Sequence, residues 1–171
     1  TKGFRVDVRA EDAEGLLQDA VMTGGPEETT FDWNGIYVGS EHSGTVTIKN
    51  CVVANGSNNG LYASSPGADD GGNGPVRVIG GLYKNNNIAA VRIGSSGSVV
   101  RGVDVVVDSQ VPEFNGRNAR GVRIRDRRGQ VVEDLDIVYT EDATTGSGAV
   151  SLHNEAGGAT IRDVRIEMSA D

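Results

Sequence analysis

Apolar residues alternate with polar ones along most of the chain, as they do in half-buried strands, but the alternation slips at regular intervals. In "TIRDVRIE", residues 160–167, Ile161, Val164 and Ile166 are the inward set, and Asp163 is wedged where a single flat strand would break its period. The same slip recurs in "TIKNCVV", "RVIGGLY", "VVRGVDV" and "VVEDLDI", with Asn50, Gly80, Gly102 and Asp134 in the wedge. Asn, Asp and Gly are the residue types that tolerate left-handed backbone. The wedge therefore reads as a tight corner where one strand ends and another begins, both keeping their apolar residues on one inside.

A second strand precedes each corner. "GIYV" at 35, "GLYA" at 60, "AVRI" at 90, "GVRI" at 121 and "AVSL" at 149 share the order small, apolar, variable, apolar, and begin 25, 30, 31 and 28 residues apart. A period of this size with one internal grammar marks a solenoid. Three short strands per repeat predict an all-β fold, a parallel β-helix of about five coils. Its coils should stack ~4.8 Å apart and wind right-handed, as parallel crossovers do. Ile36, Leu61, Val91, Val122 and Val150 form one inward column; Ile48, Val78, Val100, Val132 and Ile161 form another.

Residues 35–171 read as the coils, and residues 1–34 as a partial coil with an inserted loop. A short helix is expected over 10–22, where Leu16, Leu17, Ala20 and Val21 share one face although Gly15 weakens it. "TKGFRVD" matches "IRDVRIE" after its first residue, which places Gly3 at a corner and Phe4 and Val6 in the strand that follows it. Neither end carries an obvious cap, so the chain reads as a stretch of a longer β-helix. Residues 107–120, "VDSQVPEFNGRNAR", are longer than an ordinary connection and predict a loop flanking the next strand one.

Composition changes the picture in three ways. Glycine is frequent, at 25 residues, and aromatics are few, at 5%, as corner-rich stacked strands require. The net charge of −8 argues against a nucleic-acid partner. Of the 16 basic residues 13 are Arg and 3 are Lys; an acidic, lysine-poor surface fits a halophilic source, where salt screens self-repulsion, and GC-rich coding would also favour Arg. No apolar run approaches a membrane span. The single cysteine, Cys51, occupies an inward position with nothing basic beside it, and reads as a buried, inert thiol.

The order strand one, loop, strand two, Asn/Gly corner, strand three in "NGIYVGSEHSGTVTIKNCVV" resembles the repeat of the right-handed parallel β-helix proteins of the pectate-lyase-like superfamily, over about residues 35–167. That repeat carries lyases, hydrolases, epimerases, viral tailspikes and surface adhesins, so the resemblance speaks for fold more than for activity. It implies that any chemistry sits on the outer face of strand one and its flanking loops. That column reads Tyr37, Tyr62, Arg92, Arg123, Ser151 and holds no carboxylate. The paired Asp residues and His-Gly neighbour of the polygalacturonase-like hydrolases are missing from it. Arg92 or Arg123 could supply the base of a pectate lyase, but the calcium carboxylates would have to come from a loop such as "GADDGGNG", 67–74, which reads first as a solvated turn. His42 with Glu41, and His153 with Glu155, lie four coils apart and read as surface pairs.

Arg92 over Arg123 on one column, with no acid between them, is unfavourable unless something anionic arrives. Beside them stand Tyr37 and Tyr62. Rings offer flat apolar faces and guanidinium groups pair with carboxylate or sulfate, so Tyr37, Tyr62, Arg92 and Arg123 are the candidate binding residues for an acidic polysaccharide. The competing reading is that Asp126 or salt neutralises the arginines and the tyrosines merely cover the sheet. On strand two, by contrast, Arg101, Glu133 and Arg162 form a self-compensating stack. The sequence thus points to an extracellular or cell-surface β-helix module, carbohydrate-interacting or structural and non-catalytic, with no cofactor. The alternatives are a polysaccharide lyase or glycoside hydrolase whose catalytic coils lie elsewhere, and a tailspike or fibre segment, which would be oligomeric.

Overall fold

The computed structural model describes residues 2–24, 32–114, 116–144, 146–153 and 155–169. Residues 25–31, part of the expected inserted loop, lie outside them. The described chain is a parallel β-solenoid with three faces. Rung one is β1 (Lys2–Val6), β2 (Glu14–Gln18) and β3 (Val21–Thr23); rung two is β4 (Asn34–Val38), β5 (Thr45–Lys49) and β6 (Val52–Ala54). Rung three is β7 (Leu61–Ala63), β8 (Val76–Ile79) and β9 (Leu82–Lys84); rung four is β10 (Ala89–Ile93), β11 (Val99–Arg101) and β12 (Asp104–Val107). In rungs five and six, β13 (Arg120–Ile124) and β15 (Val150–Leu152) form the first face, while β14 (Val131–Tyr139) and β16 (Thr160–Met168) each run through the corner to cover the other two. Six strands stack on the first face, giving five repeats from first to last.

The corners explain the register. Asn50, Gly80, Gly102, Asp134 and Asp163 all have left-handed backbone, with φ of 51°, 64°, 63°, 56° and 53°. Each bend keeps both flanking strands facing one interior. The N–H of Asn50 donates to the carbonyl of Ile79, that of Gly80 to Arg101 and that of Gly102 to Glu133, so the corners themselves are stitched rung to rung. The two inward columns stack as expected, Ile36 on Leu61, Val91, Val122 and Val150, and Ile48 on Val78, Val100, Val132 and Ile161. Between the end rungs these side chains are fully buried, and Cys51 is buried with them as a free thiol. Burial pushes that thiol's pKa up, which keeps it protonated and inert. Among the described residues no helix is long and apolar enough to cross a membrane.

Two expectations for the first segment are corrected. Residues 10–22 are not helical: Glu14–Gln18 and Val21–Thr23 are strands, with Asp19 at φ 54° as the corner of rung one. Gly15 gives a helix little support, whereas the edge of β5 offers a ladder that pairs Leu17 with Ile48. "TKGFRVD" is strand one, not strand three. Phe4 pairs with Ile36 and Arg5 with Tyr37, and Gly3 is not among the left-handed glycines. "GFRV" obeys the same small, apolar, variable, apolar order as the other first-face strands.

Between Val107 and Arg120 the chain forms the expected long connection; Asn115 within it lies outside the described residues. The loop is pinned rather than loose. Val111 is buried and donates to Thr144 Oγ1 at 3.0 Å, and Asn118 N–H donates to Asn87 Oδ1 at 2.8 Å. His42 is also corrected: it is a fully buried residue, not a surface one. Its polar neighbours in sequence belong to loops that pack on one another between rungs, and this packing has no local signature.

Candidate functional site

Period-2 alternation sends the third residue of each first-face strand outward. The ladder then places Arg5, Tyr37, Tyr62, Arg92, Arg123 and Ser151 in one unbroken column. The four residues read from the sequence are therefore neighbours in the expected order. They are half-buried rather than exposed, and the loop 64–75 leans over Tyr37, Tyr62 and Arg92. Its short 3-10 turn, Ser65–Gly67, has Pro66 in its first turn and brings two serine hydroxyls to the column. Arg92 Nε donates to Ser64 Oγ at 2.7 Å and Tyr37 OH to Ser65 Oγ at 3.3 Å.

The column is also coupled within itself. The rings of Tyr37 and Tyr62 lie 5.6 Å apart at 47°. The Arg92 guanidinium carbon sits 4.2 Å from the centre of the Tyr62 ring, a cation held on an aromatic face. Lys2 Nζ and Arg5 Cζ approach the Tyr37 ring at 5.0 Å and 5.8 Å. Burial, with Arg125 and Arg123 nearby, draws the Arg92 pKa down to about 10, so it stays charged at neutral pH. Arg123 is lowered for the same reasons, burial first and then Arg120 and Arg125. Among the described residues, neither guanidinium forms an ion pair with a loop carboxylate, although Asp126 is close enough to act on both. Arg92 Nε binds a serine, and Arg123 Nε is buried without a hydrogen-bond partner. By contrast Arg101 and Arg162 on the second face both hold Glu133, the latter at 2.6 Å from Nε, as the compensated stack requires.

Tyr37, Tyr62 and Arg92 of the column line a groove of about 350 Å³ together with Ser40, Ser64, Ser65, Asp70, Arg125 and Asp126, and Arg123 lies next to Arg92 just outside it. An adjoining cleft of about 550 Å³ shares Ala68 and Asp126 and adds Asp69 and Glu155. Sequence reasoning took Asp126 only as a neutralising charge, and passed over Arg125, Ser64 and Ser65. What could have found them is their position: "RDRR" and "SSPGADD" both directly follow a first-face strand. Arg125 pairs with Asp126 at 3.3 Å. The carboxylates do not converge; among the described residues, no three His, Cys, Asp or Glu side chains are grouped to hold a metal ion. His153 lies near this field of arginines, and burial together with Arg123, Arg120 and Arg125 lowers its pKa. No protein-family model matches the chain, and no curated protein or solved structure does.

Proposed function

We propose that the first-face groove binds an acidic polysaccharide and that the chain is a non-catalytic module of an extracellular or cell-surface β-helix. The observation that carries this reading is the Tyr37–Tyr62–Arg92–Arg123 column: two half-buried rings in contact, one guanidinium seated on a ring, and a second whose Nε has no partner. Sugar faces stack on such rings, and uronate or sulfate groups pair with guanidinium. In a chain of net charge −8, a run of arginines on one face is selective for anions only at close range. The resemblance to the pectate-lyase-like repeat supports the same choice of face.

Calorimetry with uronate-containing, sulfated and neutral oligosaccharides tests it. The acidic ones should bind more tightly, less so as salt is raised. Arg92→Ala combined with Arg123→Ala should weaken acidic-ligand binding by about 1–3 kcal/mol. Unchanged affinity in the double variant would remove this face from consideration. A second reading, a polysaccharide lyase or hydrolase, is favoured by one observation: Asp70 and Asp126 line the same groove as Arg92 and Arg125. Release of reducing ends or unsaturated products from an acidic polysaccharide would replace the binding module with an enzyme.

A further inference from the structure

The wall of the groove is fastened to the solenoid along its length, by Arg92 to Ser64, by Arg127 to the Ala68 carbonyl and by Ser96 N–H to Asn73 Oδ1, and its far end is held at His42. Loop 64–75, which supplies Ser64, Ser65 and Asp70, docks on the loop after β4 through Gly72 N–H to the Ser40 carbonyl at 2.8 Å and Gly74 N–H to the His42 carbonyl at 3.0 Å. The His42 ring completes the attachment and is fully buried. Its Nδ1 accepts from Val8 N–H at 3.0 Å, and its Nε2 faces the Pro75 carbonyl at 3.4 Å. Val8 belongs to rung one, His42 to rung two and Pro75 to the end of the groove-wall loop in rung three. The partners settle the tautomer: Nδ1 must be bare to accept, and the one ring proton must sit on Nε2 to donate.

We propose that His42 is a proton-operated staple: a proton on Nδ1 would face the Val8 N–H, expel the ring from between Val8 and Pro75, and loosen the Gly72–Pro75 end of the groove wall. The inference rests on the groove being the binding face, and concerns how that face is regulated. Burial lowers the pKa of this ring from its usual 6.5. The charged groups carried by the segments around it are Asp7, Arg9, Glu11 and Asp12 before β2, Glu41 beside it, which pairs with Arg9, and Asp69 and Asp70 on the wall loop. Asp7 favours the imidazolium, but its carboxylate is engaged by Arg5 Nε at 2.7 Å and Gly39 N–H at 2.6 Å. A ring whose folded pKa lies below its unfolded one contributes stability in full above the unfolded value. That contribution is lost as the pH falls through the folded pKa.

Amide hydrogen exchange on the free, full chain between pH 7.5 and 5 tests this, with rates corrected for intrinsic pH dependence. Protection of Gly72 and Gly74 should fall about tenfold per pH unit between 6.5 and the folded pKa, while the corner amides of Gly80 and Gly102 keep theirs. The loss should level off at the pH where the His42 ring of the folded chain titrates by NMR. The chain has two histidines, so His153→Gln assigns the resonances and should leave the response intact. His42→Gln should abolish the response; if that variant does not fold, the wild-type exchange and titration decide alone. Protection that ignores pH, falls equally at Gly80 and Gly102, or loses its response in His153→Gln overturns the staple. Because no ligand is present, failure of oligosaccharide binding would sink the binding reading without touching this result.

Discussion

Asn87→Ala should lower stability by at least ~3 kcal/mol, because it strips partners from up to four backbone groups, each costing ~1–3 kcal/mol if left buried and unpaired. Asn87 is fully buried at the turn into β10. Its amide nitrogen donates to the carbonyls of Ser57 at 3.1 Å and Gly116 at 2.8 Å. Its Oδ1 accepts from the N–H groups of Ile88 and Asn118, each at 2.8 Å. One side chain thus ties rung three, rung four and the long loop before rung five. It also holds Ile88 in left-handed backbone at φ 57°, a conformation a β-branched residue avoids. Without Asn87 that strain loses its clamp. Urea unfolding followed through the single tryptophan, Trp33, would report locally, since Trp33 N–H is bonded to Ser57 Oγ at 3.1 Å. A variant within ~1 kcal/mol of the wild type would mean that water or relaxation replaces these bonds.

A still larger loss is expected at the neighbouring corner. Gly81 has φ +101°, and a Cβ there would lie 2.4 Å from the Cys51 carbonyl oxygen and 2.9 Å from its nitrogen. Both obstacles are backbone, and the same carbonyl accepts the Leu82 N–H at 2.9 Å, so neither can move without breaking the ladder. Gly81→Val should therefore cost ~4 kcal/mol or more, the range of a forbidden backbone combined with overpacking. Gly80→Asn is the control. It too has left-handed backbone, but its Cβ would meet only the Asn50 Oδ1 atom, at 2.6 Å, which can swing away. Asn already serves at the equivalent corner, so this change should stay within ~1 kcal/mol. Equal stability of the two variants, measured by thermal or urea unfolding, would contradict the difference drawn between the corners.

What could be read in the chain without its structure was whatever depends on period. The corners at Asn50, Gly80, Gly102, Asp134 and Asp163, the inward columns and the Tyr37–Tyr62–Arg92–Arg123 order all follow from alternation broken once per repeat. The first rung escaped because its outward positions are apolar: Leu16 is 64% and Val21 68% exposed. With apolar residues on both sides of the strand, "EGLLQDAVM" no longer alternates and acquires a helical face. Such positions are decided by the neighbouring rung, not by local preference. The loops escaped for a different reason. Nothing in strand periodicity says that Ser64 will meet Arg92, or that His42 will be enclosed between Val8 and Pro75, because those contacts join segments from different rungs.

The one-dimensional ladder also determines how the molecule would answer force. Among the described residues, strands bond only to the rung before and the rung after, and the contact from Arg127 to the Ala68 carbonyl that skips a rung is made by loops. Pulled apart by its two ends, the chain would peel from the outside inwards, giving up one repeat at a time. With repeats of 25 to 31 residues and at most ~3.3–3.6 Å of extension per residue, each release lengthens the tether by roughly 100 Å. Such a module dissipates work in even increments and sheds outer rungs while its middle, with the Tyr62–Arg92 contact, stays folded.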